Sequence, residues 1–256
     1  MSGIRLVTRA DDAGMHAVAN RAIRESVTEG IVRNVSLMAP APAIRNAYQV
    51  LGDLGDGVAF GLHVTLTAEW ENLRWAPLIG DAASSFVRAD GSMHFDVESL
   101  ESTAPDLDAV MQEVAAQLDL LRNLGFPITY IDEHMGIGRV PGLAERLLAF
   151  ADEHGLIANR RLFDAGALAR LPGFQMPTEH PGTEMADQLA TVPAGTYLLV
   201  GHPATKDEEF ARFKLPGRPV GEEAINRNRQ RRMFMDIEIV DYCENVGIEL
   251  CRYCDV

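Results

Sequence analysis

Short apolar runs alternate with helical patterns along most of this chain. Residues 4–8 read as a first strand. Val18, Ala22, Ile23 and Val27 then recur at the spacing of one helix face, which predicts a helix over 16–29 stopped by Gly30. Residues 32–38 read as a strand, 41–51 as a helix and 58–66 as a third strand. The strongest helical stripe is Val110, Val114, Leu118 and Leu121, within a helix predicted over 105–124 and capped by Asp106. A strand over 128–131, a helix over 143–154 and a short strand from Leu156 follow. Late in the chain, 197–200 and 248–253 read as strands and 221–245 as helical. Strands that alternate with helices mark an α/β architecture, either a barrel or an open sheet.

Residues 68–103 break the rhythm. They carry Trp70, Trp75, Pro77 and Gly91 and read as a long loop insertion near a binding site. No internal repeat or linker divides the chain, so residues 1–256 are expected to form one catalytic domain.

Composition narrows the partners. The formal net charge is −14 and the sequence pI about 4.9. Such a chain repels phosphate backbones and anionic lipid, so neither nucleic acid nor a membrane is the expected partner, and a neutral or cationic small substrate is. No apolar run reaches membrane-spanning length, and no secretory leader is read at the start. The three cysteines, Cys243, Cys251 and Cys254, all lie late. An odd, late set is no disulfide framework, and the CxxC of Cys251 and Cys254 has no second ligand pair. Reduced thiols in a cytoplasmic protein are expected.

The polar residues are placed in a pattern. Asp11 with Asp12, His63, Asp132 with His134, and His202 each follow an apolar strand-like run. In parallel α/β folds reactive groups gather at the carboxyl ends of strands. One aspartate and two histidines make a familiar ligand set for one divalent ion, Zn²⁺ or Mg²⁺. A second aspartate beside them could take a proton from water. Each residue also has a plainer reading. The aspartate pair could cap the next helix, His63 could be a packed histidine, His134 could sit in an ordinary ion pair, and His202 could be a loop residue before Pro203. His16, His94, His154 and His180 receive no role, although His16 is close enough to the aspartates to reach the pocket. Arg227, Arg229, Arg231 and Arg232 are expected on a solvated helix face or a subunit contact of a homodimer, with room for one to turn into the site.

An ordered set of motifs resembles the YdjC-like carbohydrate deacetylases, the family that includes chitooligosaccharide deacetylases. The pieces are ADDAG at 10–14 with Asn20 and Ile23, VRNVSLMAP at 32–40, GLHVTLT at 61–67, YIDEH at 130–134, GHP at 201–203, and the arginine-rich INRNRQRRMFMD at 225–236. The resemblance spans nearly the whole chain. It implies a distorted, TIM-like (β/α) barrel related to polysaccharide deacetylase barrels. It also implies a metal-dependent hydrolase that removes an N-acetyl group from a small carbohydrate. Carried over, Asp12, His63 and His134 are the metal ligands, Asp11 the general base, His202 the acid that protonates the leaving amine, and Asp132 the residue that orients a ligand histidine. The tryptophans at 70 and 75 would offer a sugar a stacking face.

The chain departs from the family in two places. Arg9 and Ala13 stand where the family reads Asn and Phe in NADDFG. Met135, Gly136, Ile137 and Gly138 stand where it commonly carries further histidines. Two alternatives follow: a metal-dependent hydrolase of another class, such as a phosphoesterase, and a sugar-binding barrel without turnover.

Overall fold

Eight strands form one sheet in the computed structural model, which describes residues 3–256. In chain order the elements begin with β1 (Ile4–Ala13), α1 (Ala17–Thr28), β2 (Asn34–Leu37), α2 (Ile44–Leu51) and β3 (Ala59–Val64). They continue with α3 (Val97–Ser102), α4 (Leu107–Leu124), β4 (Ile128–Glu133), α5 (Leu143–His154), β5 (Ile157–Ala158), α6 (Asn159–Asp164) and β6 (Ala169–Arg170). The last are α7 (Pro181–Ala190), β7 (Gly195–Gly201), α8 (Glu222–Met235), α9 (Ile237–Val246) and β8 (Glu249–Cys251). Every strand pairing is parallel. The order is β5-β4-β3-β2-β1-β7-β6, a curled half-barrel whose end strands, β5 and β6, are only two residues each. The barrel expected from the resemblance is therefore present in its distorted form.

β1 is the axis of the sheet. One edge pairs with β7 from Ile4 to Ala10. The other edge is shared: β8 takes Arg5 to Val7 and β2 takes Arg9 onward. Asn34 seals the junction. Its Nδ2 donates to Thr8 O (2.9 Å) and Cys251 O (3.0 Å), and its Oδ1 accepts from Tyr253 N at 2.9 Å.

Strand alternation sorts the side chains. Leu6, Ala10, Val35, Leu37, Phe60, Leu62, Val64 and Ile131 pack outward against the helices in the main core. Val7, Ala59 and Tyr130 face the opposite way, into the curl, with Cys251 and Tyr253. Continuing that second face along each strand gives Arg9 and Asp11, Ser36, His63, and Asp132. Asp11, His63 and Asp132 therefore converge on the concave side toward the carboxyl ends of β1, β3 and β4.

The helices agree with the predicted ones in most places, and Asp106 caps α4 as expected, accepting from Asp108 N at 2.9 Å. Three differences matter. β1 continues through the aspartate pair to Ala13. The helical stretch at 221–245 is two helices that meet at Asp236, whose ψ of 139° is extended. The insertion at 68–103 is partly ordered by α3, a short 3-10 turn and a bridge between Thr67 and His94. Trp70 and Trp75 lie in its packed interior, 0% and 5% exposed, so neither is an open platform for a sugar ring. Among the described residues no helix is long and apolar enough to cross a membrane, and the three cysteines are free.

Gly61 fits the concave face for a steric reason. A Cβ there would lie 2.1 Å from the Tyr130 ring. That ring packs on Tyr253 at 4.5 Å between centroids, and its hydroxyl hydrogen-bonds Ser36 at 2.9 Å. Gly61→Ala should therefore displace Tyr130 and destabilise the fold by about 1–3 kcal/mol, the usual cost of overpacking. Urea unfolding of the two proteins measures this. An unchanged midpoint would mean that Tyr130 relaxes freely.

Candidate metal centre

The aspartate pair sits on a bulge. The β1–β2 register runs Ala10↔Val35 and then Ala13↔Leu37, so β1 carries one extra residue across that step. Asp12 occupies it with φ 65°, a left-handed conformation. A bulge re-aims a side chain that strict alternation would send to the opposite face. Asp11 and Asp12 can then serve one site. Asn20, on α1, holds the following turn by accepting from Gly14 N at 2.7 Å. The pair does not cap α1; His16 does, its Nδ1 accepting from Val18 N. His16 also packs against Phe213 and faces Glu209 at 3.4 Å.

Asp12, His63 and His134 come together, all buried. His63 Nε2 and His134 Nδ1 are 3.2 Å apart, and Asp12 Oδ1 is 3.6 Å from the first and 3.4 Å from the second. A tetrahedral ion with bonds of about 2.0–2.1 Å needs ligand atoms about 3.4 Å apart. The triangle matches that edge. Asp12 Oδ2 pairs with Arg227 Nη2 at 2.8 Å, whereas the buried Oδ1 accepts no hydrogen bond. A buried carboxylate in that condition suits a cation. On both grounds the residues fit a divalent ion.

The outer partners fix the ligand atoms. Asp132 Oδ1 bonds His63 Nδ1 at 2.8 Å, which turns Nε2 toward Asp12. Asp132 Oδ2 accepts from Ser36 Oγ at 2.8 Å and pairs with Arg9 Nη1 at 2.6 Å. His134 uses its two nitrogens the other way round: Nδ1 faces Asp12 and Nε2 meets Glu69 Oε2 at 3.0 Å. Gln117 on α4 clamps the backbone just beyond His63, bonding both Thr65 N and Thr65 O. Past His134, Met135 is 41% exposed and, with Gly136, adopts positive φ.

Arg9 compensates the buried carboxylate of Asp11. It donates through Nε at 2.6 Å and Nη2 at 2.7 Å to the two Asp11 oxygens, and through Nη1 to Tyr253 Oη at 2.9 Å. Asp11, His63 and Asp132 form a second cluster of metal-ligand types. Arg9 is the cation that serves its two carboxylates, so the arrangement favours one ion rather than two. His202, at the end of β7, is half-buried beside this centre. Gln230 Oε1 accepts from its backbone N at 2.7 Å and bonds its Nδ1 at 3.0 Å.

Burial opposes the charged forms of Asp12, His63 and His134, and their partners outweigh it. Burial alone would raise the Asp12 carboxyl, but Arg227, His134 and His202 hold it well below the usual carboxylate range. Burial would lower His63, yet Asp132 and Asp11 raise it. His134 is likewise pulled down by burial and pushed up to about 10 by Glu69 and Asp12.

Glu69 and Gln230 escaped the sequence reading, and Arg227 is the one of the four arginines that turns into the site. Glu69 lies only two residues past GLHVTLT, so its spacing was a usable signal. Gln230 and Arg227 lie on α8, where Ala224, Arg227, Gln230, Met233 and Phe234 form the buried face. Arg227, 4% exposed, belongs to no solvated helix face.

Residues 5–245 match a family model described as YdjC-like protein. The chain is 24% identical to a carbohydrate deacetylase of Thermoanaerobacter pseudethanolicus, with 97% of each covered. It is 26% identical to one of Listeria monocytogenes, with 93% of this chain and 99% of the relative covered. A solved structure from Enterococcus faecalis V583, provisionally assigned as a cellobiose-phosphate cleavage protein, superposes with TM-score 0.78 over 98% of both chains at 19% identity. At that identity the superposition speaks for the fold alone.

The His134 pairing predicts a pH effect in protein stripped of metal. Its folded value of about 10 lies above the ordinary histidine value of about 6.5. The charged form is thus favoured by folding. Its contribution is complete below about pH 6.5 and is lost as the pH rises toward 10. Glu69→Gln removes the partner that raises it most. In urea unfolding, the wild type should exceed this variant by more at pH 6 than at pH 10. An equal gap at both would assign Glu69 a packing role only.

Proposed function

The chain belongs to the YdjC-like protein family, and we propose that it is a metal-dependent deacetylase of a small amino sugar or oligosaccharide. The observation that carries the reading is the buried Asp12–His63–His134 triangle, in which Asp12 Oδ1 faces both imidazole nitrogens without a hydrogen bond and Asp11 lies beside it. The carbohydrate deacetylase relatives support the same chemistry over nearly the full length. Two imidazole nitrogens and one carboxylate oxygen suit Zn²⁺ better than the oxygen-seeking Mg²⁺.

When bound, a divalent ion supplies a Lewis acid that polarises the amide carbonyl and eases deprotonation of water. Asp11 is the base. Arg9 fixes both of its oxygens, and each oxygen keeps a lone pair for water. Asp11 takes one proton as the water oxygen bonds to the acyl carbon. When the carbon–nitrogen bond breaks, nitrogen keeps the electron pair and takes a proton from His202 Nε2. Gln230 holds the other ring nitrogen, so Nε2 is the one left to work. The products are acetate and a free amine. A neutral sugar suits the acidic surroundings and the net charge of −14.

Met135 and Gly136 stand beside His134 where the family commonly has histidines, which favours a second reading, sugar binding without turnover. Metal content separates the two. The wild type should hold close to one divalent ion per chain, and His134→Ala should lose it. Asp11→Asn should keep the ion while acetate release from N-acetylglucosamine oligomers falls about 100-fold or more. Full activity in that variant would remove Asp11 from the base role. A wild type that takes up neither Zn²⁺ nor Mg²⁺ would favour the binding protein.

A further inference from the structure

Arg227 reaches the centre with more donors than acceptors. Its Nη2 lies 2.8 Å from Asp12 Oδ2, and its Nε lies 3.5 Å from Glu223 Oε1, too far for a good hydrogen bond. Nε and Nη1 are buried with no hydrogen-bond acceptor. The guanidinium sits 5.0 Å above the Trp70 ring and 6.0 Å from that of Phe210. The Trp70 indole N–H is also buried without an acceptor. Native proteins rarely leave buried donors unpaired, and such groups often belong to a reactive site.

The surrounding charge selects the kind of acceptor. Asp12, Glu223 and Glu69 already lie near this guanidinium. A further full anion would crowd three carboxylates, whereas a neutral oxygen that gains charge only during reaction would not. The amide carbonyl of an acetamido group is such an oxygen.

We propose that Arg227 contacts the substrate, donating through Nη1 to the acyl oxygen of the amide being hydrolysed; this rests on the deacetylase reading. Nη2 stays on Asp12 Oδ2, which leaves Oδ1 turned to His63 and His134. As the water oxygen bonds to the acyl carbon and its proton passes to Asp11, the carbonyl π pair moves onto the acyl oxygen. Nη1–H receives that charge. On collapse the pair re-forms the C=O bond, the C–N bond breaks, and nitrogen leaves with its own pair and a proton. A donor aimed at developing charge raises kcat more than it tightens substrate binding.

Arg227→Gln and Arg227→Lys are compared with the wild type after zinc loading. The readouts are zinc per chain, and kcat and KM for acetate release from the acetamido sugar that the wild type cleaves fastest. Both variants should hold as much zinc as the wild type. In the Gln variant kcat should fall about 100-fold while KM stays within about threefold. The Lys variant should recover part of the loss. Added guanidinium should speed Arg227→Ala and leave the wild type unchanged. Undiminished kcat in the zinc-replete Gln variant overturns the role. So does lost activity that returns on adding zinc, since Arg227 then only holds Asp12. If the Gln variant does not fold, the Lys variant and the rescue carry the same comparison. A wild type that binds zinc but deacetylates no acetamido sugar overturns the deacetylase reading and this role with it. An active wild type matched by an equally active Gln variant overturns this role alone.

Discussion

Neighbouring side chains on a strand point to opposite faces, yet Asp11 and Asp12 both have to reach the concave side of the sheet. The bulge at Asp12 resolves that conflict. It adds one residue to β1 relative to β2 and places Asp12 at φ 65°, a conformation that a non-glycine residue adopts at a cost. The fold sustains it because β1 is held on both edges, by β7 on one and by β8 and β2 on the other. Asn20 then ties down the turn that follows. Asp12 lies at this turning point, so its aim is set by backbone geometry rather than by a flexible side chain.

Two carboxylates brought this close, with Asp132 and Glu69 nearby, need positive charge in a place with little water. The chain supplies part of it from within. Arg9 spans Asp11 and Asp132, and Arg227 reaches Asp12 from α8. What remains is the Asp12 oxygen that faces two imidazole nitrogens, the one arrangement in the cluster suited to a single added cation. The roles of the four acids follow from their partners. Asp132 and Glu69 orient His63 and His134, Asp11 is fixed by Arg9, and Asp12 Oδ1 is left free to face a cation, the role proposed for it.

The departures from the family pattern look different once these contacts are known. Arg9, in place of the family's Asn, is a central member of the network through its bonds to Asp11, Asp132 and Tyr253. The missing histidines at 135–138 leave the triangle intact, because His134 alone supplies the nitrogen that faces Asp12. Met135 instead gives the rim beside the site an exposed apolar side chain.

The strands, most helices and the convergence of Asp11, Asp12, His63, Asp132, His134 and His202 were legible in the sequence, because each residue follows an apolar strand-like run and parallel sheets gather such ends together. The ligand pattern was legible for the same reason, as local motifs at strand ends. What the tertiary structure alone decided was how distant groups share charge. Arg227 and Gln230 are polar residues in the middle of a buried helix face, so hydrophobic periodicity could not reveal them. The break at Asp236 was hidden too, since apolar residues continue on both sides of it. Trp70 looked like a surface for a sugar because aromatic residues in a loop carry no mark of burial; its place under Arg227 depends on the insertion folding back on the site. Local pattern determines which face a side chain takes, and only packing across some two hundred residues determines which charge it meets there.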